Sequence, residues 1–142
     1  MSALDTDVLI VGAGPTGLAL ALTLQHAGID HVIVDRLATG QNTSRAAVIH
    51  AHTLEVLAPL GVSARLMDEG LRLPAFSMRD RDRLLARLRF DELPTEYACL
   101  LLLPQDRTER ILVDALAAAG GAVRWGCAVE ALAETPSGVT AT

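Results

Sequence analysis

Six residues, Gly12-Ala13-Gly14-Pro15-Thr16-Gly17, constrain this chain more than any others because of what flanks them. Before them, Val8 to Val11 is a short apolar run rich in β-branched residues, the pattern of a strand covered on both faces. After them, Pro15 to Ala27 reads as a helix, with proline in its first turn and Gly28 as its stop. This helix is apolar almost all round at Leu18, Ala19, Leu20, Ala21 and Leu22, which predicts burial. His31 to Asp35 (HVIVD) is a second buried strand. Strand, helix and strand within about 30 residues make a βαβ unit.

A G-x-G-x-x-G run alone is weak evidence, since glycine is common. Between a strand and a helix each glycine has a task. Gly12 permits the tight turn, Gly14 lets a pyrophosphate approach the backbone, and Gly17 lets the helix press on the strand. Pro15 and Thr16 open the helix, whose start offers free N–H groups and roughly half a positive charge to phosphate. The remaining requirement is an acid at the end of the next strand, to accept hydrogen bonds from a ribose. Asp35 stands there. Such a bond is worth about 1.5–3 kcal/mol, and the carboxylate repels a 2′-phosphate. The bland alternative, a glycine-rich turn and an ordinary surface aspartate, leaves the agreement of all five features to chance. A dinucleotide site is expected, with FAD and NAD not separated by the fingerprint.

Beyond Asp35 comes a loop of small polar residues, Thr39 to Ser44. Thr53 to Leu60 looks helical, and a further helical stretch ends at Gly70. Leu84, Ala86, Leu88 and Phe90 alternate with Leu85, Arg87 and Arg89, the period of a strand with one wet face. Asp80 to Arg83 supplies a polar turn before it, so a hairpin is expected. Cys99 to Leu103 reads as a buried strand. Asp106 and Glu109 form a D-x-x-E capping box at the start of a helix that Gly120–Gly121 closes. Ala122 to Trp125 is expected as another parallel strand. Cys127 to Ala133 and Val139 to Thr142 are expected as antiparallel strands around Pro136–Gly138, the last of them ending without a cap or partner.

Length and composition bound the function. The 142 residues are one domain's worth, and 51% hydrophobic content suits a packed core. Net charge is −5 and the arginines are scattered among acids, so no basic stripe marks a nucleic-acid partner. All twelve positive side chains are arginine, which excludes a lysine Schiff base in this segment. The acidic start is no secretory signal, and the apolar helix is far short of a membrane span. The chain reads as cytoplasmic. Cys99 and Cys127 read as buried structural thiols. His50 and His52, projecting together from a strand, are too few to hold a metal. The Arg and Asp residues of 79–89 read as a solvated face.

The stretch VLIVGAGPTGLALALTLQHAGIDHVIVDR resembles the opening of the class A flavoprotein monooxygenases, the para-hydroxybenzoate hydroxylase family. SRAAVIHAHTLEVLAPLG, from Ser44 to Gly61, and LPQDRTERIL, from Leu103 to Leu112, look like two later segments of that family, in the same order and spacing. The resemblance implies FAD as cofactor. It places Arg36 near the adenine, Arg45 against the pyrophosphate or ribityl region, and Gln105 near the ribityl chain. Two positions depart: Asp35 stands where glutamate is commoner, and His52 where related hydroxylases often carry arginine. The family's later Asp-Gly and Gly-Asp motifs do not occur in these residues.

The implied fold is α/β, a Rossmann-like FAD-binding domain with a parallel sheet, incomplete at the C-terminus. Residues 1–72 form its first βαβ part, 73–98 a β hairpin belonging to a substrate domain, and 99–142 its continuation. The implied activity is hydroxylation of an aromatic substrate, with NAD(P)H reducing FAD and O2 supplying the oxygen atom. No catalytic acid or base is named. Three alternatives stand beside it: another FAD enzyme (halogenase, epoxidase or reductase), an NAD-dependent dehydrogenase domain, or a non-catalytic nucleotide-binding module.

Overall fold

The computed structural model describes residues 5–38 and 48–142. The chain divides into two compact units, Met1–Asn42 with Leu112–Thr142, and Thr43–Ile111.

In the first unit the expected strand–helix–strand is present. Strand β1 (Val8–Val11) and strand β2 (His31–Asp35) flank helix α1 (Pro15–His26) in sequence and pair in parallel, from Val8 opposite His31 to Val11 opposite Val34. Further along the chain lie helix α4 (Gln105–Ala118), which belongs to this unit from Leu112 on, and strand β8 (Val123–Trp125), which pairs in parallel with the other side of β2. The order β1-β2-β8 thus puts β2 in the middle, with Ile33 and Val34 buried. Helix α1 packs on β1 and β2 and buries Leu18, Ala21 and Leu22. Burial all round is not what the structure has: Leu20 is 44% exposed, while Leu18, Ala21 and Leu22 are buried.

Helix α4 ends as its glycine pair dictates. Gly120 adopts φ +87°, its N–H reaches Ala117 O at 3.0 Å, and the Gly121 N–H reaches Leu116 O at 2.9 Å. Gln25 of α1 donates to Ala119 O at 2.9 Å, tying the two helix ends together. Strands β9 (Leu132–Thr135) and β10 (Gly138–Ala141) form an antiparallel ribbon. The antiparallel pairing expected around this turn is present, and it gives the last strand a partner; the preceding strand begins at Leu132 rather than at Cys127. Cys127 is exposed rather than buried, since 126–131 is irregular backbone outside any strand; Cys99 is buried as expected.

In the second unit, strand β7 (Leu100–Leu102) is the middle of an antiparallel sheet between β3 (Val48–Ile49) and β4 (Leu71–Leu73). Helix α2 (Ala51–Leu57) runs into a 3₁₀ turn at Ala58–Leu60, and α3 (Ser63–Glu69) follows. Leu54, Leu57, Val62, Leu66 and Leu101 form the core, and the buried Ser63 hydroxyl donates to Leu54 O at 2.6 Å. The capping box is not formed. Helix α4 begins one residue before Asp106, and Pro104 O takes the N–H groups of Arg107 and Thr108 at 3.0 and 3.1 Å. Glu109 instead accepts from Gln105 at 2.7 Å.

Strands β5 (Ala75–Asp80) and β6 (Arg83–Arg89) make the expected hairpin, with Phe76 opposite Leu88 and Met78 opposite Ala86. Arg79 then faces Leu84, which leaves Leu85 over as a β-bulge. One wet face was expected; both are exposed, with Leu85 and Leu88 more than half accessible, because the described residues lay no layer over this two-stranded ribbon.

Glu69 at the end of α3 accepts from Arg107 at 2.8 Å and from Arg65 at 3.1 Å. Those two guanidinium groups, Arg107 first, hold its carboxyl below the usual glutamate range. A depressed carboxylate stabilises the fold above its unfolded-state pKa, and that contribution is lost as pH falls through the folded one. The urea midpoint of wild type should therefore exceed that of Glu69→Gln at neutral pH, and the two should converge in acid. Among the described residues, no helix is long and apolar enough to cross a membrane.

Candidate functional site

The end of β1 is built for an abrupt turn. Gly12 donates to Val34 O at 2.8 Å, continuing the ladder, and then adopts φ +107°, a conformation L side chains rarely take. Ala13 is 3% exposed and donates to Asp35 Oδ2 at 2.8 Å. Gly14 is the N-cap of α1, in extended backbone with no side-chain capping bond, and its carbonyl accepts from Leu18 N–H at 2.9 Å. The first-turn amides of Thr16 and Gly17 have no intrahelical acceptor, and Pro15 has no N–H to leave unpaired.

Gly14 and Gly17 differ in what surrounds them. Nothing lies within 4 Å of where a Gly14 Cβ would stand, so the helix start faces open space. A Cβ on Gly17 would run into the Gly12 carbonyl oxygen and stand 3.4 Å from Ile10 Cγ2. Close approach of α1 to β1 thus needs glycine at 17, whereas Gly14 keeps room for something outside the chain. The arrangement is a set of backbone amides at the positive end of a helix, suited to an oxyanion.

Asp35 closes β2 beside this turn. Its Oδ1 accepts from Leu37 N–H at 2.9 Å while Oδ2 holds Ala13. On the far side, Cys127 N–H reaches Asp35 O at 2.8 Å and Gly126 N–H reaches Leu37 O at 2.7 Å, so the end of β2 is fastened to the exit of β8. Arg36 is exposed next to it.

A family model described as an FAD binding domain matches residues 5–142. The chain belongs to the FAD-binding domain family. It is of the kind that class A aromatic-ring monooxygenases carry. It is 34% identical over 139 residues to pentachlorophenol 4-monooxygenase from Sphingobium chlorophenolicum, covering 96% of this chain and 26% of that protein. The crystal structure of p-nitrophenol 4-monooxygenase from Pseudomonas putida superposes with TM-score 0.87 at 25% identity, covering 99% of this chain and 39% of that one. Anhydrotetracycline hydroxylase from Streptomyces rimosus gives TM-score 0.82 at 32% identity, covering 97% of this chain and 30% of that one. The FAD-binding domain described here thus spans about a quarter of the length of the curated relatives it matches.

The residues of this FAD-binding domain fit such a nucleotide. The open space at Gly14, the uncapped start of α1 and a carboxylate at the end of β2 are a donor set for a diphosphate and an acceptor for a sugar. Gly12, Gly14, Pro15, Thr16, Gly17, Asp35 and Arg36 all lie in the first unit. Gln105 lies in the second, at the first position of α4, its amide nitrogen bound to Glu109. Arg45 lies outside the described residues. His50 and His52 do not project from a strand: His50 is the residue before α2 and His52 is inside it, exposed, with Nδ1 3.3 Å from Glu55 Oε2. The strand that precedes them stops at Ile49, too short to carry either. Among the described residues no group of three or more His, Cys, Asp or Glu is placed to hold a metal.

Two partners of Asp35 are not evident from the sequence. The Ala13 and Leu37 amides satisfy Asp35, and an Asp bonding the N–H two residues on is a common local motif that could have flagged Leu37.

Proposed function

We propose that the intact protein is an FAD-dependent monooxygenase that hydroxylates an aromatic substrate, consuming NAD(P)H and O2. The observation that carries this reading is the uncapped, glycine-lined start of α1 beside Asp35, in a chain whose relatives are aromatic-compound monooxygenases. Gly12, Gly14, Pro15, Thr16 and Gly17 cradle the pyrophosphate, with the amides of the first turn as donors and the helix dipole behind them. Asp35 accepts from the adenosine ribose and disfavours a 2′-phosphate there. Arg36 packs near the adenine, Arg45 lies along the pyrophosphate or ribityl chain, and Gln105 contacts the ribityl chain; these three roles rest on the family resemblance.

Bound FAD supplies the redox chemistry, reduced by NAD(P)H and reacting with O2. The part played by this chain is to hold and orient it. Residues 1–72 and 99–142 form the flavin-binding part in this proposal, and 73–98 reaches towards a substrate domain. The support for that division is a hairpin with leucines exposed on both faces, a surface made to be covered.

Purified intact protein should be yellow, release FAD on denaturation, and consume NAD(P)H faster when the right aromatic compound is added. With ¹⁸O₂ the label should enter the product. A colourless protein that binds NAD and not FAD would make it a dehydrogenase domain instead.

A further inference from the structure

Parallel pairing of β1 with β2 supplies acceptors up to Gly12, whose N–H meets Val34 O. The next donor, Ala13 N–H, belongs to a residue that is 3% exposed, yet it meets a side chain rather than a carbonyl. Asp35 Oδ2 extends the ladder by one rung, at 2.8 Å, just where the chain bends at Gly12. The other oxygen takes Leu37 N–H at 2.9 Å, which fixes the carboxylate's rotation. Both oxygens are thus engaged by backbone without any nucleotide. A carboxylate has about four lone-pair sites, so two remain for other donors.

We propose that Asp35 is a positioning residue for the pyrophosphate turn, acting through Ala13, in addition to any contact it makes with a sugar. The proposal rests on the reading of Gly12–Gly17 as the pyrophosphate cradle. Its physical basis is that Ala13 sits between Gly12 and Gly14, so the direction of the Ala13 N–H sets the path of the loop into α1. Removing the acceptor leaves a buried N–H unpaired, and the loop must open to hydrate it. Asn is no substitute. One end of its amide accepts while the other donates, so it satisfies one of the two N–H groups and confronts the second with another donor.

Two readouts separate this from a role confined to the sugar. The first is the affinity of the intact protein for FAD and for an FAD analogue whose adenosine ribose lacks both hydroxyls. If Asp35 acted through the sugar alone, Asp35→Asn and wild type would bind the analogue equally, and that result overturns the proposal. A loss of about tenfold or more for the analogue in Asp35→Asn is expected, the scale of one buried donor left unpaired. The second readout is amide exchange in the apoprotein, which needs no variant and no flavin. Ala13 N–H should exchange far more slowly than Thr16 N–H at the open start of α1; equal rates would sink the proposal even if Asp35→Asn failed to fold. Failure of wild type to bind FAD at all would instead count against the cradle reading, leaving the exchange comparison to judge Asp35.

Discussion

Gly14→Asp should remove FAD binding from the intact protein while leaving the apoprotein as stable as wild type or slightly more so. Position 14 is the N-cap of α1, in extended backbone that aspartate adopts freely, with nothing within 4 Å of its Cβ. Aspartate is a better N-cap than glycine by a few tenths of a kcal/mol, and its charge suits the helix start. The same charge would sit where the cradle meets a diphosphate. Two like charges about 4 Å apart at an effective dielectric near 20 repel by about 4 kcal/mol, which is roughly a thousandfold in affinity. Flavin titration and thermal melting of the apoprotein, read side by side, should move in opposite directions or the second not at all. Gly14→Asn separates charge from bulk, and should lose much less. An FAD affinity unchanged in Gly14→Asp would mean that the diphosphate is held elsewhere.

The second large effect falls at Gly17, where the sign of the stability change is reversed. Alanine inside a helix is ordinarily better than glycine by up to about 1 kcal/mol. Here its Cβ would collide with the Gly12 carbonyl oxygen, a backbone atom of the turn that cannot swing aside like a side-chain tip. Gly17→Ala should therefore destabilise the apoprotein by about 1–3 kcal/mol, the usual cost of overpacking, and weaken FAD binding as α1 backs away from β1. Denaturant unfolding checks the first outcome and flavin titration the second. Increased stability would mean that the turn yields easily, and that close helix–strand contact is not why glycine stands there.

Residues 8–35 were legible because each element there is punctuated by chemistry: β-branched residues, then glycines and proline, then a glycine stop, then an acid. The long hairpin was legible too, from its period and its charged turn, although the bulge at Leu85 interrupts a pattern that reads as continuous. Other features were not readable, for definite reasons. Strand β3 has two residues, shorter than any alternation can register, so the sequence does not show that the strand ends before His50 and His52. Asp106 and Glu109 have the spacing of a capping box, but Pro104 already supplies the carbonyl that begins the helix, and Glu109 is taken by Gln105. The exposure of Leu20 depends on how many layers surround α1, which a helix's own residues do not record. At the site, the residue types were visible and their mutual bonds were not. An acid after a strand suggests a sugar; its grip on two backbone amides belongs to tertiary geometry.

That double grip bears on cofactor redesign. The usual way to retrain a dinucleotide site towards phosphorylated sugars is to exchange the acid after the second strand for a small or basic residue. In this protein the exchange would also unfasten the glycine loop, so a gain in specificity would arrive with a loss of affinity for every nucleotide tried. Engineering of preference is better begun at Arg36, whose exposed side chain can be changed while both amide ties of its neighbour stay in place.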